Sequence, residues 1–488
     1  MAVATGEQQV VDGVDKRLYI GGEWRDASGG ETFTVIDPAT EEALCEVADA
    51  TPEDAMEALD AAVAAQAEWG ASAPNDRAGI LWHAFELMNE RADDLALLMT
   101  LEMGKPIAES KSEIVYAADF FRWFSGEALR LDGYYKQFGN GTSRVLTMKQ
   151  AVGPCLMITP WNFPMAMGTR KMAPAIAAGC TVVMKPAQLT PLCMLALGRL
   201  LEDAGLPAGV FNIITTSSSG ATTGPLIEDP RLRKLSFTGS TEVGRRLIEA
   251  SAKNVLKTSM ELGGNAPFVV FEDADLDAAL EGALLAKMRN IGEACTSANR
   301  FHVAESVAGE FSRRLAEKMG ALKLGRGTEE DVKVGPLIDD DSREKVAALV
   351  KDAIDRGAEC VVGGAIPDGR GFFYPPTVLD NVPADARVLS EEIFGPVAPI
   401  ATFSSEDEAI ERANDTEYGL VAYVFTSDLK RALRVCERLE TGMIGLNQGM
   451  VSNAAAPFGG VKQSGIGREG GKEGIEEFLE TKYVAVSM

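Results

Sequence analysis

Short apolar runs alternating with helical stretches place this chain in the α/β class, with parallel sheets covered by helices on both faces. From Val152 the pattern reads strand at 155–158, helix at 173–179, strand at 181–184 and helix at 192–204. Strands at 210–214 and 233–237 follow, then a helix at 241–252. The loops after these strands gather polar residues: Thr159-Pro160-Trp161-Asn162, Lys185-Pro186-Ala187-Gln188 and Thr238-Gly239-Ser240-Thr241. Sheets of this kind bind ligands at that edge. At 488 residues the chain exceeds the size at which one core stops growing, so two or more domains are expected.

The remaining elements follow in order. Residues 19–38 read as short strands broken by Gly21-Gly22 and Gly29-Gly30. Thr51-Pro52-Glu53-Asp54 opens a helix to about Trp69, since Thr can cap, Pro suits the first turn and acids suit the positive end. Helical patterns cover 75–103, stopped by Gly104, and 106–131. Polar alternation at 134–150 (Thr142, Arg144, Leu146, Met148) suggests a protruding hairpin. A second strand-helix set extends to about Leu446, with helices at 342–356 and 428–440, and 480–486 reads as a final strand.

Composition narrows the function. With 72 Asp+Glu against 47 Lys+Arg the net charge is −25, and such a surface repels phosphate, which disfavours nucleic acid. The acids are dispersed, as on a solvated exterior that needs salt to screen its self-repulsion, and a high-salt cytoplasm is the expectation. No apolar run approaches the ~18 to 20 residues of a membrane span, and the N-terminus shows no secretory signal. The seven cysteines (45, 155, 180, 193, 295, 360, 436) form no Cys-x-x-Cys pair, which suits a reducing cytoplasm. Two histidines, His83 and His302, exclude a His-rich metal site, and packing is the expected role of both.

Chemistry points first to Cys295. The run 275–289 carries Leu276, Ala279, Leu280, Ala283 and Leu284 at helical spacing. Gly292 breaks it, and the thiol follows three residues later. A Cys just past such a break can lie close to backbone N–H groups that favour the thiolate, although a lone Cys is more often core. Residues 237–244 open a helix directly after a strand, where Gly239, Gly244 and Ser240 with free N–H groups can receive a pyrophosphate. This is neither the Gly-x-Gly-x-x-Gly fingerprint nor a P-loop.

Six ordered motifs then resemble the aldehyde dehydrogenase superfamily along nearly the whole chain. They are TPWNFP at 159–164, FTGSTEVG at 237–244, ELGG at 261–264, Gly292-x-x-Cys295, EIFGP at 392–396, and PFGG at 457–460 continuing to Gly465. The resemblance implies a Rossmann-like cofactor domain (1–131 and 152–261), an α/β catalytic domain (262–456) and a small β oligomerisation element (132–151 and 475–488). It also implies a homodimer or homotetramer. By resemblance Cys295 is the nucleophile, Asn162 holds the oxyanion, and Glu261 is the general base. Lys185 and Gln188 fall near the adenosine ribose, Gly239 and Ser240 at the pyrophosphate, and Glu392 and Phe394 by the nicotinamide ribose. Thr159, Trp161 and Leu262 belong to the same cofactor site.

Departures from the family pattern carry information too. Gln188 stands where strictly NAD-using members have Glu, and a neutral side chain beside Lys185 does not repel a 2′-phosphate. NADP is therefore favoured slightly over NAD. The loop 216–224 lacks one of the usual glycines. Glu293 replaces a more usual Gln two residues before the nucleophile, and its side chain is expected to point away, because a carboxylate facing the sulfur would raise the thiol pKa.

Within the superfamily the likeness is greatest to succinate-semialdehyde dehydrogenases, through Arg170, Arg289 and Ser452. Matching residues there clasp the carboxylate at the far end of the substrate, for which guanidinium groups offer forked donors. An apolar aldehyde would leave two buried charges unpaired, unless either Arg pairs with a protein acid instead. The alternative substrate is another carboxylate-tailed semialdehyde, glutarate or 2-oxoglutarate semialdehyde. Intact Asn162, Glu261 and Cys295 argue against a catalytically silent relative.

Overall fold

A computed structural model describes residues 5–487; residues 1–4 and 488, the outermost parts of the predicted first domain and final strand region, lie outside the described residues. Two large sheets organise the chain. The first has eight strands, with the parallel order Phe211–Ile213, Val182–Lys185, Cys155–Ile158, Lys234–Thr238, Lys257–Glu261 at its centre and short antiparallel strands at both edges. Chain order reverses beside Cys155–Ile158, the topological switch at which such sheets open a crevice. The second sheet has seven strands and is centred on Ala266–Val270, Ala298–Ala304 and Val397–Phe403. Only Leu262-Gly263-Gly264-Asn265 separates the last parallel strand of the first sheet from the central strand of the second. The carboxyl edge of one sheet therefore faces the amino edge of the other.

Local chemistry explains the frame. Thr51 caps the helix Pro52–Ala71 through a reciprocal box with Asp54, as Thr-Pro-Glu-Asp anticipates. Gly104 ends Ala92–Met103 in the left-handed conformation that glycine adopts without strain. The predicted hairpin and tail strand form a separate three-stranded sheet, Tyr135–Gln137, Ser143–Ala151 and Leu479–Ser487.

Some expectations need correction. The helix read over 75–103 is two, Pro74–Glu90 and Ala92–Met103, broken at Arg91 (φ −97°, ψ 14°); apolar spacing continues through the break and hides it. The helix read from residue 173 begins at Ala166, because its first turns are buried on every side and show no polar face. The loop read at 216–224 holds the start of a helix, Ser219–Glu228, masked by its Ser, Thr, Gly and Pro composition. No helix among the described residues is long and apolar enough to cross a membrane.

His302 is buried in the strand Ala298–Ala304, with neither ring nitrogen hydrogen-bonded. Burial, then Arg300 and Arg412, hold its pKa well below 6.5. The unfolded chain takes up this proton near pH ~6.5 while the folded chain does not, so stability is full above that pH and falls below it by up to about 1.4 kcal/mol per pH unit. We expect His302→Leu to remove this component. Between about pH 7.5 and pH 5 the denaturant midpoint of wild type should fall relative to that of the variant; a constant difference would refute the assignment.

Candidate active site

The crevice is built from loops at the facing sheet edges. Asn162 follows the strand Cys155–Ile158 and is fixed by a buried polar network. Its Oδ1 accepts from Phe163 N–H at 3.1 Å and its Nδ2 donates to the Glu293 carbonyl at 2.9 Å, so a flipped amide would lose both bonds. One Nδ2 hydrogen remains for an oxyanion. The Asn162 carbonyl accepts from Lys105 Nζ at 2.8 Å and from Asn290 Nδ2 at 2.9 Å. Lys105 is paired with Glu113 at 2.5 Å, and Glu113 also accepts from the N–H groups of Met165 and Ala166 that open the helix Ala166–Ala178.

Cys295 follows the helix Leu276–Met288 through an unusual turn. Asn290 (φ 53°), Ile291 (φ 61°) and Gly292 (φ 80°) are all left-handed. Two non-glycine residues in that region cost free energy, which the surrounding structure must offset, here through Asn290's bonds to Asn162, Glu293 and Glu109. Gly292 is needed for space as well, since a Cβ there would sit 2.2 Å from the Gly395 carbonyl. Cys295 is half-buried. Burial pushes its thiol up to about 12; Arg170 and Arg289 oppose this, while Glu261 and Glu392 add to it. Glu261 is buried, its Oε2 has no partner, and burial followed by the charge of Glu469 raises it well above the usual carboxylate range.

Glu293 points away from the sulfur, as expected. Its Oε1 accepts from Ile338 N–H at 3.1 Å, and burial raises its pKa.

Two cavities matter here, and Cys295 lines the first. One, about 240 Å³, gathers Trp161, Asn162, Gly239, Ser240, Leu262, Cys295, Glu392 and Phe394. Phe394 stands edge-on to Trp161, with ring centroids 5.5 Å apart, and Glu392 accepts from Gly264 N–H at 2.9 Å. Ser342 and Lys345 also line it; they sit in the first turns of a helix outside every motif, so the sequence carries no signal for them. Thr159, Lys185, Gln188 and Glu261 are not among its walls. Lys185 is buried and desolvation lowers its pKa to about 8, while Gln188 is exposed. Thr238 Oγ1 lines this cavity, buried and without a partner. An orphaned hydroxyl and the exposed N-cap of the helix Thr241–Ser251 together suit a phosphorylated dinucleotide.

The other cavity, about 700 Å³, is walled by Phe163, Met288, Arg289 and Gly449 among others. Arg289 donates to Ser452 Oγ at 3.0 Å, and the described residues place no carboxylate in a salt bridge with it. Arg170 corrects the expectation of two arginines awaiting a substrate. It is already paired with Glu469 at 2.5 Å and stacked 3.9 Å over Phe458, and Lys171 shares the same carboxylate at 2.6 Å.

A crevice between two α/β sheets that gathers a cysteine and an amide is the site of an oxidoreductase. The chain belongs to the aldehyde dehydrogenase family, whose model matches residues 24–484. It is 58% identical to a succinate-semialdehyde dehydrogenase of Paenarthrobacter nicotinovorans over 91% of this chain and 99% of that one. It is 50% identical to the succinate-semialdehyde dehydrogenase [NADP(+)] GabD of Escherichia coli over 97% and 98%. The crystal structure of a succinate-semialdehyde dehydrogenase from Burkholderia pseudomallei superposes with a TM-score of 0.96 at 46% identity, covering all of both chains.

Proposed function

We propose that this enzyme oxidises succinate semialdehyde to succinate with NADP or NAD, and that Cys295, Asn162 and Glu261 carry the chemistry. The observation that carries the substrate reading is Arg289, a cation that lines the cavity of about 700 Å³, bonds the Ser452 hydroxyl and has no salt bridge among the described residues, while Glu109 lines the same cavity and feels its charge. When bound, the nicotinamide accepts a hydride. Cys295 Sγ adds to the aldehyde carbon as Glu261 takes up the thiol proton and passes it to solvent, and the free N–H of Asn162 with the Cys295 backbone N–H receives the oxygen. Loss of hydride from that carbon leaves a thioester on Sγ. Glu261 removes a proton from water, which attacks the thioester and releases the acid; burial that raises the carboxyl pKa makes it a stronger base.

Exposed Gln188 beside buried Lys185 leaves no carboxylate to repel a 2′-phosphate, which supports NADP over NAD. In this reading residues 1–131 with 152–261 bind the cofactor and 262–456 carry the nucleophile. Residues 132–151 and 475–488 are the oligomerisation element in the same reading, and its sheet of Tyr135–Gln137, Ser143–Ala151 and Leu479–Ser487, with exposed Tyr135 and Tyr483, receives a second copy in a cytoplasmic homodimer or homotetramer.

The test is an assay crossing NADP and NAD with succinate semialdehyde, glutarate semialdehyde and butanal. The highest kcat/KM is expected for succinate semialdehyde with NADP. A best value on a neutral aldehyde would overturn the substrate reading, and a best value on glutarate semialdehyde would move it one methylene along.

A further inference from the structure

Between Asn290 and Cys295, Glu293 is the one residue with an acidic or basic side chain, and it makes no salt bridge among the described residues. Its carboxyl is buried: Oε1 accepts from Ile338 N–H at 3.1 Å and Oε2 has no partner. The charged groups that face it are Lys105, already paired with Glu113 at 2.5 Å, and Asp339. Glu109 meets the same turn at the Asn290 N–H. Ionised, the Glu293 carboxyl would be a buried charge held by a single backbone bond, which is costly. A protonated carboxyl keeps the bond to Ile338 without that charge. Burial raises its pKa; the Ile338 N–H and Lys105 oppose this, while Asp339 adds to it.

The backbone of Glu293 joins the turn to Asn162. Its N–H donates to the Asn290 carbonyl at 2.8 Å, and its carbonyl accepts from Asn162 Nδ2 and Asn290 Nδ2, each at 2.9 Å. The side chain extends this hold to a third element. Ile338 precedes Asp339, the N-cap of the helix Asp340–Asp355, whose carboxylate accepts from Ser342 N–H at 2.8 Å. Ser342 and Lys345 of that helix line the cavity that Cys295 and Asn162 share. One residue thus touches the nucleophile turn, the amide beside it and the helix across the cavity.

Resting on the roles given above to Cys295 and Asn162, we propose that Glu293 is a positioning residue that works as a neutral acid, clamping the nucleophile turn and the Asn162 amide to the segment that opens the helix Asp340–Asp355. Neutrality suits the place. A negative charge two residues from the sulfur, on the residue whose carbonyl fixes the amide, would oppose both a thiolate and an oxyanion.

Two variants of the full-length enzyme test this. Glu293→Ala removes the bond to Ile338 and should lower kcat about ten- to a hundredfold with little change in the aldehyde KM, as when reacting groups are misplaced. Glu293→Gln keeps the acceptor without an ionisable group and should recover most of that loss. A second readout needs neither aldehyde nor cofactor. The unfolded chain releases the Glu293 proton near pH ~4.3 while the folded chain holds it, so the stability this group contributes falls as pH rises. Between about pH 5 and pH 7 the denaturant midpoint of wild type should fall relative to that of Glu293→Gln. A constant difference, or a glutamine variant as slow as the alanine one, would overturn the neutral acid. A normal kcat in Glu293→Ala would overturn the clamp, and if that variant does not fold the midpoint comparison decides alone. Turnover retained by Cys295→Ala would instead fail the covalent mechanism and leave the midpoint result standing, so the two failures are distinguishable.

Discussion

Replacing Cys295 with alanine should lower steady-state aldehyde oxidation by on the order of 10⁴- to 10⁶-fold, the scale on which covalent catalysts fall when the nucleophile is removed. No other residue in the crevice can take over. Thr296 and Ser297 are buried, and Ser297 Oγ is turned to the Lys287 carbonyl. Reduced-nicotinamide absorbance followed with excess enzyme checks the result, and turnover near the wild-type rate would remove covalent catalysis from the mechanism. A thiol held up near 12 in the free enzyme adds a second expectation for the same residue. Alkylation of wild-type Cys295 at neutral pH should be slow until a charge or a base in the loaded site withdraws the proton.

Asn162→Ala should cost about 10²- to 10³-fold in kcat with little change in KM, the usual loss on removing one oxyanion donor. The side chain also bonds the Glu293 carbonyl and the Phe163 N–H, so part of the loss comes from loosening the turn that carries Cys295. Asn162→Asp separates the two effects. It keeps the acceptor for Phe163 but puts a negative charge where the oxyanion forms, and should be at least as slow as the alanine variant. A variant with raised KM and normal kcat would show that Asn162 binds substrate without stabilising the transition state.

Much of this was legible beforehand, for identifiable reasons. Strand-helix alternation, the Thr51 cap and the Gly104 stop are local signals, and local signals survive in sequence. Cys295, Asn162 and Glu261 are assigned from six motifs in fixed order, no one of them decisive, and the structure brings Asn162 and Cys295 to one cavity. Three features were less accessible. The helix from Ala166 has no polar face to betray its period. The left-handed pair Asn290 and Ile291 is imposed by long-range bonds to Glu109 and Asn162, which no neighbouring residue announces. Arg170 read as half of a clasp because its partner, Glu469, lies almost three hundred positions away. Spacing can propose that two residues serve one ligand, but it does not reveal that one of them already has a counter-ion.

That counter-ion has a further consequence. Glu469 sits on the segment that leaves the edge strand Gly465–Ile466, and one short helix, Glu473–Glu476, separates it from the strand Leu479–Ser487 on the projecting sheet. The carboxylate neutralising Arg170 and Lys171 is thus tethered to the same polypeptide arm that forms the projecting sheet. Its charge is also among those that raise the Glu261 carboxyl, so the projecting sheet and the environment of Glu261 are joined by one short stretch of chain.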